Sequence, residues 1–131
     1  MTDLLVAIHP WLGYLVVLVV LVAAFSAFGR AKDAREYTPG PFAAAMVLLD
    51  VQVLLGIVVY LLDAGWQSRI ELAVVHPVLA LAALGVGHAA LKRARDERMA
   101  VDAHRKAGRG LVAALILVLL SIVVALAPPF L

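Results

Sequence analysis

Two histidines occupy the same dipeptide, each just inside the start of a long apolar run: Ile8-His9-Pro10 and Val75-His76-Pro77. An ionisable side chain inside a membrane is costly and marks a functional site by default. Two imidazoles on two helices at one depth can bind one metal from opposite sides. Axial ligation of one non-covalently held haem b needs only those two side chains. The bland alternative is a pair of histidines hydrogen-bonded to neighbouring helices. A copper or zinc site would want a third ligand, and Asp63 and Glu71 lie near enough in the outer half of the membrane to offer one.

A flat macrocycle also needs small side chains beside its ligands. At helical spacing below His76 come Ala80, Ala83, Gly87 and Ala90. The same stripe equally suits close helix packing. Arg69, beside Trp66 and Gln67 in a short loop, is placed to hold haem propionates; an ordinary interfacial loop is the alternative. His88 lies twelve residues after His76, about 18 Å lower and on another face. With His104 or Met46 it is a candidate for a second haem site. Asp50 and Gln52 are polar intrusions in the second apolar run. They point about 200° apart. Gln52 shares its face with Gly56 and Asp63, while Asp50 looks elsewhere, with His88 as a partner within reach and proton relay as one role.

These residues need four helices to position them. The chain has 131 residues, 65% of them hydrophobic. Apolar runs at roughly 4–28, 41–62, 71–91 and 108–127 are each long enough for a hydrocarbon core about 30 Å thick. The chain is therefore expected to be one all-α, four-helix membrane domain over 1–131. Strands are disfavoured because the runs are long and do not alternate. No cysteine is present, which excludes disulfides, thiolate metal sites, thiol–disulfide catalysis and covalent haem attachment. The start, Met1-Thr2-Asp3-Leu4, lacks a basic region, so the first run is expected to be kept as a helix.

Ten of the eleven basic residues fall in loops one and three: Arg30, Lys32, Arg35, Lys92, Arg93, Arg95, Arg98, Arg105, Lys106 and Arg109. The positive-inside rule makes those loops cytoplasmic and both termini external. The expected location is a bacterial-type inner membrane. The same charges attract anionic lipid headgroups. Nothing points to nucleic acid.

A weak internal repeat is present. Ile8-His9-Pro10-Trp11-Leu12 echoes Val75-His76-Pro77-Val78-Leu79, and the run Val53–Leu61 echoes Val118–Leu126. The offsets, 67 and 65 residues, suggest two helical hairpins related by a pseudo-two-fold axis along the membrane normal. His9 and His76 would then meet across that axis near the outer face.

In these features the chain resembles the small four-helix cytochrome b-like membrane proteins and, more distantly, one half of haem A synthase. The resemblance rests on Ile8-His9-Pro10-Trp11-Leu12, Gln52-Val53-Leu54-Leu55-Gly56 and Val75-His76-Pro77-Val78-Leu79-Ala80. It implies haem b bound by His9 and His76, and electron transfer in a respiratory membrane. Helix one lacks an intramembrane carboxylate, which argues against the oxygenating chemistry of haem A synthase. The expectation is an electron carrier or complex subunit rather than a stand-alone enzyme, with other membrane redox subunits or a quinone-linked complex as partners. Its rivals are a haem-free accessory subunit and, last, a small multidrug-type transporter, whose helix-one carboxylate is missing.

Overall fold

The computed structural model describes residues 1–129. Four α-helices account for most of them: α1 Thr2–Lys32, α2 Gly40–Leu62, α3 His76–Arg95 and α4 Ala100–Leu126. A short 3₁₀ turn, Gly65–Gln67, and a π-helical turn, Glu71–Val75, link α2 to α3. All four spans are long and apolar enough to cross a membrane. The chain is thus a multi-pass, all-helical membrane bundle.

Each helix follows from its sequence in a simple way. Pro41 lies in the first turn of α2, where its missing N–H costs no hydrogen bond. Pro10, in contrast, lies inside α1, so His9 belongs to a continuous helix and is not a cap. Helices α1, α3 and α4 outrun their apolar stretches at the ends rich in Arg and Lys. Helix α4 begins eight residues before the apolar run does, which reduces the third loop to four residues, 96–99. Its first turns are rich in good helix formers, Ala, Arg and Lys, so the helix continues beyond the hydrocarbon.

The helices run up-down-up-down. Helix α4 packs broadly on both α1 and α3, α1 also packs on α2, and the seam between α2 and α3 is the thinnest of the four. Helices α1 and α3 are diagonal partners with little direct contact. We call the end carrying loops 33–39 and 96–99 the basic end, and the other the histidine end.

Packing differs along the bundle axis. The middle and the basic half are filled by Val16, Val20, Ala24, Phe42, Met46, Leu49, Leu111 and Ala114, all buried. Small residues at Ala27, Ala45, Ala83, Ala94 and Ala107 let the helices approach closely there. Toward the histidine end these core residues run out, and the interior opens into a cavity.

Candidate functional site

The cavity has a volume of about 410 Å³ and is walled by all four helices. His9 and Gly13 come from α1, Gln52 and Gly56 from α2, His76 and Ala80 from α3, and Val118 and Ser121 from α4. Its size falls within the range of about 300–1,000 Å³ usual for ligand and cofactor pockets. The lining residues Ile57, Val74, Val78 and Leu81 are exposed on the outside of α2 and α3. The cavity therefore opens sideways through the thin α2–α3 seam.

His9 and His76 meet across the bundle, as the repeat suggested. Their ring centroids are 6.1 Å apart, with the ring planes 84° from parallel. The two histidines come from diagonal helices, so only side chains bridge the interior between them.

His76 is positioned by several backbone devices. The π turn over Glu71–Val75 directly precedes it, and its N–H reaches back to the Glu71 carbonyl. One extra residue in that turn rotates everything after it around the axis. Pro77 has no N–H to give the Ala73 carbonyl, four residues back. The Tyr60 hydroxyl donates to that carbonyl instead, at 3.1 Å. The π turn and the tyrosine are how the fold accommodates a proline inside this span.

The His76 ring is fixed by Ser121 of α4. Nδ1 lies 3.0 Å from the Ser121 carbonyl and 2.8 Å from its hydroxyl. A carbonyl only accepts, so Nδ1 carries the proton and donates. The Ser121 hydroxyl donates in turn to the His76 carbonyl, at 3.0 Å. This tautomer leaves the lone pair on Nε2. Metal-ligating histidines are typically oriented in this way, by an N–H bonded to a carbonyl.

His9 is held differently. Its backbone carbonyl accepts from the Gln52 side-chain amide at 2.9 Å. The ring packs flush against Gly56, where an added Cβ would stand 2.9 Å from Cε1 of the imidazole. Nδ1 of His9 and Oε1 of Gln52 are both buried without a hydrogen-bond partner. Unpaired buried polar atoms are uncommon and point to a function or a missing partner.

The remaining candidates are dispersed. Ala80 lines the cavity, but Ala83 and Gly87 do not. Gly87 abuts Met46 and Ala114, and Ala83 is buried in the core. The lower part of the stripe thus serves helix packing. Arg69 turns toward α4 and donates to the carbonyls of Ala125 and Ala127, at 2.8 and 2.5 Å. It satisfies orphan carbonyls at a helix C-terminus. Both of its terminal nitrogens are thus engaged at the end of α4.

His88 and His104 are not brought together. His88 Nε2 lies 2.7 Å from Asp50 Oδ1 on the outer face of α2 and α3, where both side chains are about half exposed. His88 is one of the partners the sequence offered for Asp50. His104 is fully buried at the basic end, its Nε2 3.1 Å from the Arg35 carbonyl. Its ring meets Tyr37 and Phe42 edge-on. Met46 is buried against Gly87. The arrangement offers no second paired-histidine site. Among the described residues no three His, Asp or Glu side chains converge to hold a metal. The third ligand that copper or zinc would want, from Asp63 or Glu71, is therefore not supplied.

Two residues central to the site carried little signal in the sequence. Ser121 could have been found from the repeat, because it aligns with Gly56 in the echo of α2 by α4. Tyr60 had no such signal. Comparison with known proteins found no matching family model, no matching curated protein and no matching solved structure.

Proposed function

We propose that the chain is a membrane haem b protein that carries electrons, in which His9 and His76 would hold one haem. The observation that carries this reading is the histidine pair itself. Two imidazoles on opposite sides of one metal, each bound at about 2 Å, have ring centroids about 6 Å apart. The observed separation is 6.1 Å. The apolar cavity beside the pair, the donor-and-lone-pair tautomer of His76 and the unpartnered ring nitrogen of His9 all suit the same group.

The haem, when bound, supplies a one-electron couple. The chain's own residues do the rest. Ser121 orients His76, and Gln52 and Gly56 set the height and tilt of His9. The apolar walls keep water from the metal, which bears on redox potential.

The Lys and Arg residues gathered on the helix ends around loops 33–39 and 96–99 favour a cytoplasmic location for that end by the positive-inside rule, which puts the histidine pair toward the external face of a bacterial-type inner membrane. One haem on one side cannot pass electrons across about 30 Å of hydrocarbon. A second membrane redox subunit or a quinone-linked complex is therefore the expected partner, in a respiratory or photosynthetic membrane.

The test is a dithionite-reduced minus oxidised absorption spectrum of the purified protein, with a pyridine haemochrome count. One haem b per chain with six-coordinate, low-spin bands is expected. Protein from a haem-replete host that carries no haem would overturn the proposal and leave a haem-free accessory subunit in its place.

A further inference from the structure

A second cleft lies at the basic end, on the outer side of the α3–α4 pair. It measures about 480 Å³ and is lined by Gly85, Val86, Ala89, Ala90 and Arg93 of α3, and by Lys106, Arg109 and Gly110 of α4. Its floor is the closest approach of the two helices. A Cβ on Gly110 would fall 1.9 Å from the Cβ of Ala90, so only glycine allows this contact. Above the floor, Gly85 leaves open space, with nothing within 4 Å of where its Cβ would be.

The charges are graded along the cleft. Arg93 lies in the last turn of α3, and Lys106 lies one turn of α4 before Gly110. Arg109 stands about one turn deeper, beside the Ala90–Gly110 contact. Lys106 pairs with Glu97 of the short loop. Among the described residues, neither Arg93 nor Arg109 has a salt-bridge or side-chain hydrogen-bond partner. No acidic residue lines the cleft. Two unpaired guanidinium groups therefore flank a groove that begins at the interface and continues, uncharged and narrow, into the hydrocarbon.

We propose that this cleft binds one anionic phospholipid, its phosphate between Arg93 and Arg109 and an acyl chain laid over Gly85, Val86 and Ala89. Guanidinium groups favour phosphate through paired, charge-assisted hydrogen bonds. Basic pockets between helices on the cytoplasmic side are suited to acidic lipid headgroups. The graded lining distinguishes a lipid from a free anion, because a free phosphate has no use for the Gly85 groove. The site is separate from the histidine pair and does not depend on the haem reading.

The experiment is native mass spectrometry and thermal unfolding of the delipidated full chain in a neutral detergent, titrated with phosphatidylglycerol. Phosphatidylcholine of the same acyl chains and inorganic phosphate are the comparison arms. Saturable binding of one phosphatidylglycerol, with a raised Tm, is expected. The double variant R93Q/R109Q should lose at least tenfold in affinity, while R98Q/R105Q, of equal charge change but outside the cleft, should stay within twofold. Gly85→Leu, which alters no charge, should weaken phosphatidylglycerol several-fold. Equal binding of both lipids, an equal loss in the two double variants, or saturation by phosphate alone would each overturn the proposal.

Discussion

The two halves of the bundle present the same residue in two different settings. In the second half, His76 has its ring nitrogen and its backbone carbonyl both bonded to Ser121. In the first half, the equivalent position to Ser121 is Gly56, and His9 has only its carbonyl bonded, by Gln52. One imidazole is fixed by hydrogen bonds and the other by contact with a bare backbone. The difference separates orientation from clearance. Ser121 sets the His76 tautomer, whereas Gly56 makes room for a ring that keeps an unsatisfied nitrogen. A pair built this way has one ring fixed by hydrogen bonds and one held by contact alone, and as ligands these would be a rigid and an adjustable one.

The largest effect should come from removing either ring. His9→Ala and His76→Ala are each expected to abolish stoichiometric haem, and His88→Ala to leave it intact. If the first two retain full pigment, the comparison has no functional meaning.

The next effect separates the halves. Ser121→Ala removes the hydroxyl that bonds the His76 ring and backbone but leaves the carbonyl that holds the Nδ1 proton. The expected loss therefore lies at the low end of the range, about 10–100-fold in metal affinity, that removing an outer partner costs. Competition with a haem-binding apoprotein would measure it. Gly56→Ala should instead push His9 out of line, read as a shift from low-spin toward high-spin bands. Identical spectra for the two variants would break the distinction between a rigid and an adjustable ligand.

Smaller effects probe the supports. Tyr60→Phe leaves the Ala73 carbonyl without its donor at the proline, an expected loss of about 1–3 kcal/mol for an unsatisfied buried group. Thermal unfolding of the detergent-solubilised protein would show it, and a loss confined to stability, with unchanged bands at low temperature, would assign Tyr60 to the backbone alone.

The smallest effect lies far from the cavity. Burial raises the pKa of Tyr37, in the first loop, against the opposing pull of Arg95. The fold therefore favours the neutral phenol. Its contribution is complete below the usual tyrosine value of about 10. It is lost as pH rises from there through the folded value, because the unfolded chain ionises first. Tyr37→Phe should flatten the alkaline side of the stability profile. A profile unchanged by the substitution would remove Tyr37 from the account.

Much of this arrangement was legible in the residues. The four spans follow from apolar length. The meeting of His9 and His76 follows from the weak repeat and the shared inward face of Gln52 and Gly56 from helical spacing, while spacing turned Asp50 to another face and left His88 as one of the partners within its reach. What was not legible depended on contacts between distant helices. Arg69 finds the end of α4, nearly sixty residues away, because bare carbonyls there accept a guanidinium. Gly87 serves Met46, because the small stripe changes purpose where the core becomes dense. The π turn depends on how Pro77, Tyr60 and the loop before it settle together, and no local pattern encodes that.

The thin α2–α3 seam also bears on how the protein is made. Its doorway is framed by exposed apolar side chains, which in a bilayer are suited to acyl chains. Such a doorway admits a lipid-soluble group by lateral diffusion in two dimensions, once the helices have inserted. Loading then requires only that two neighbouring helices part slightly at one end while the broad α4 contacts hold the rest of the bundle, so synthesis and maturation become separable events in the life of the chain.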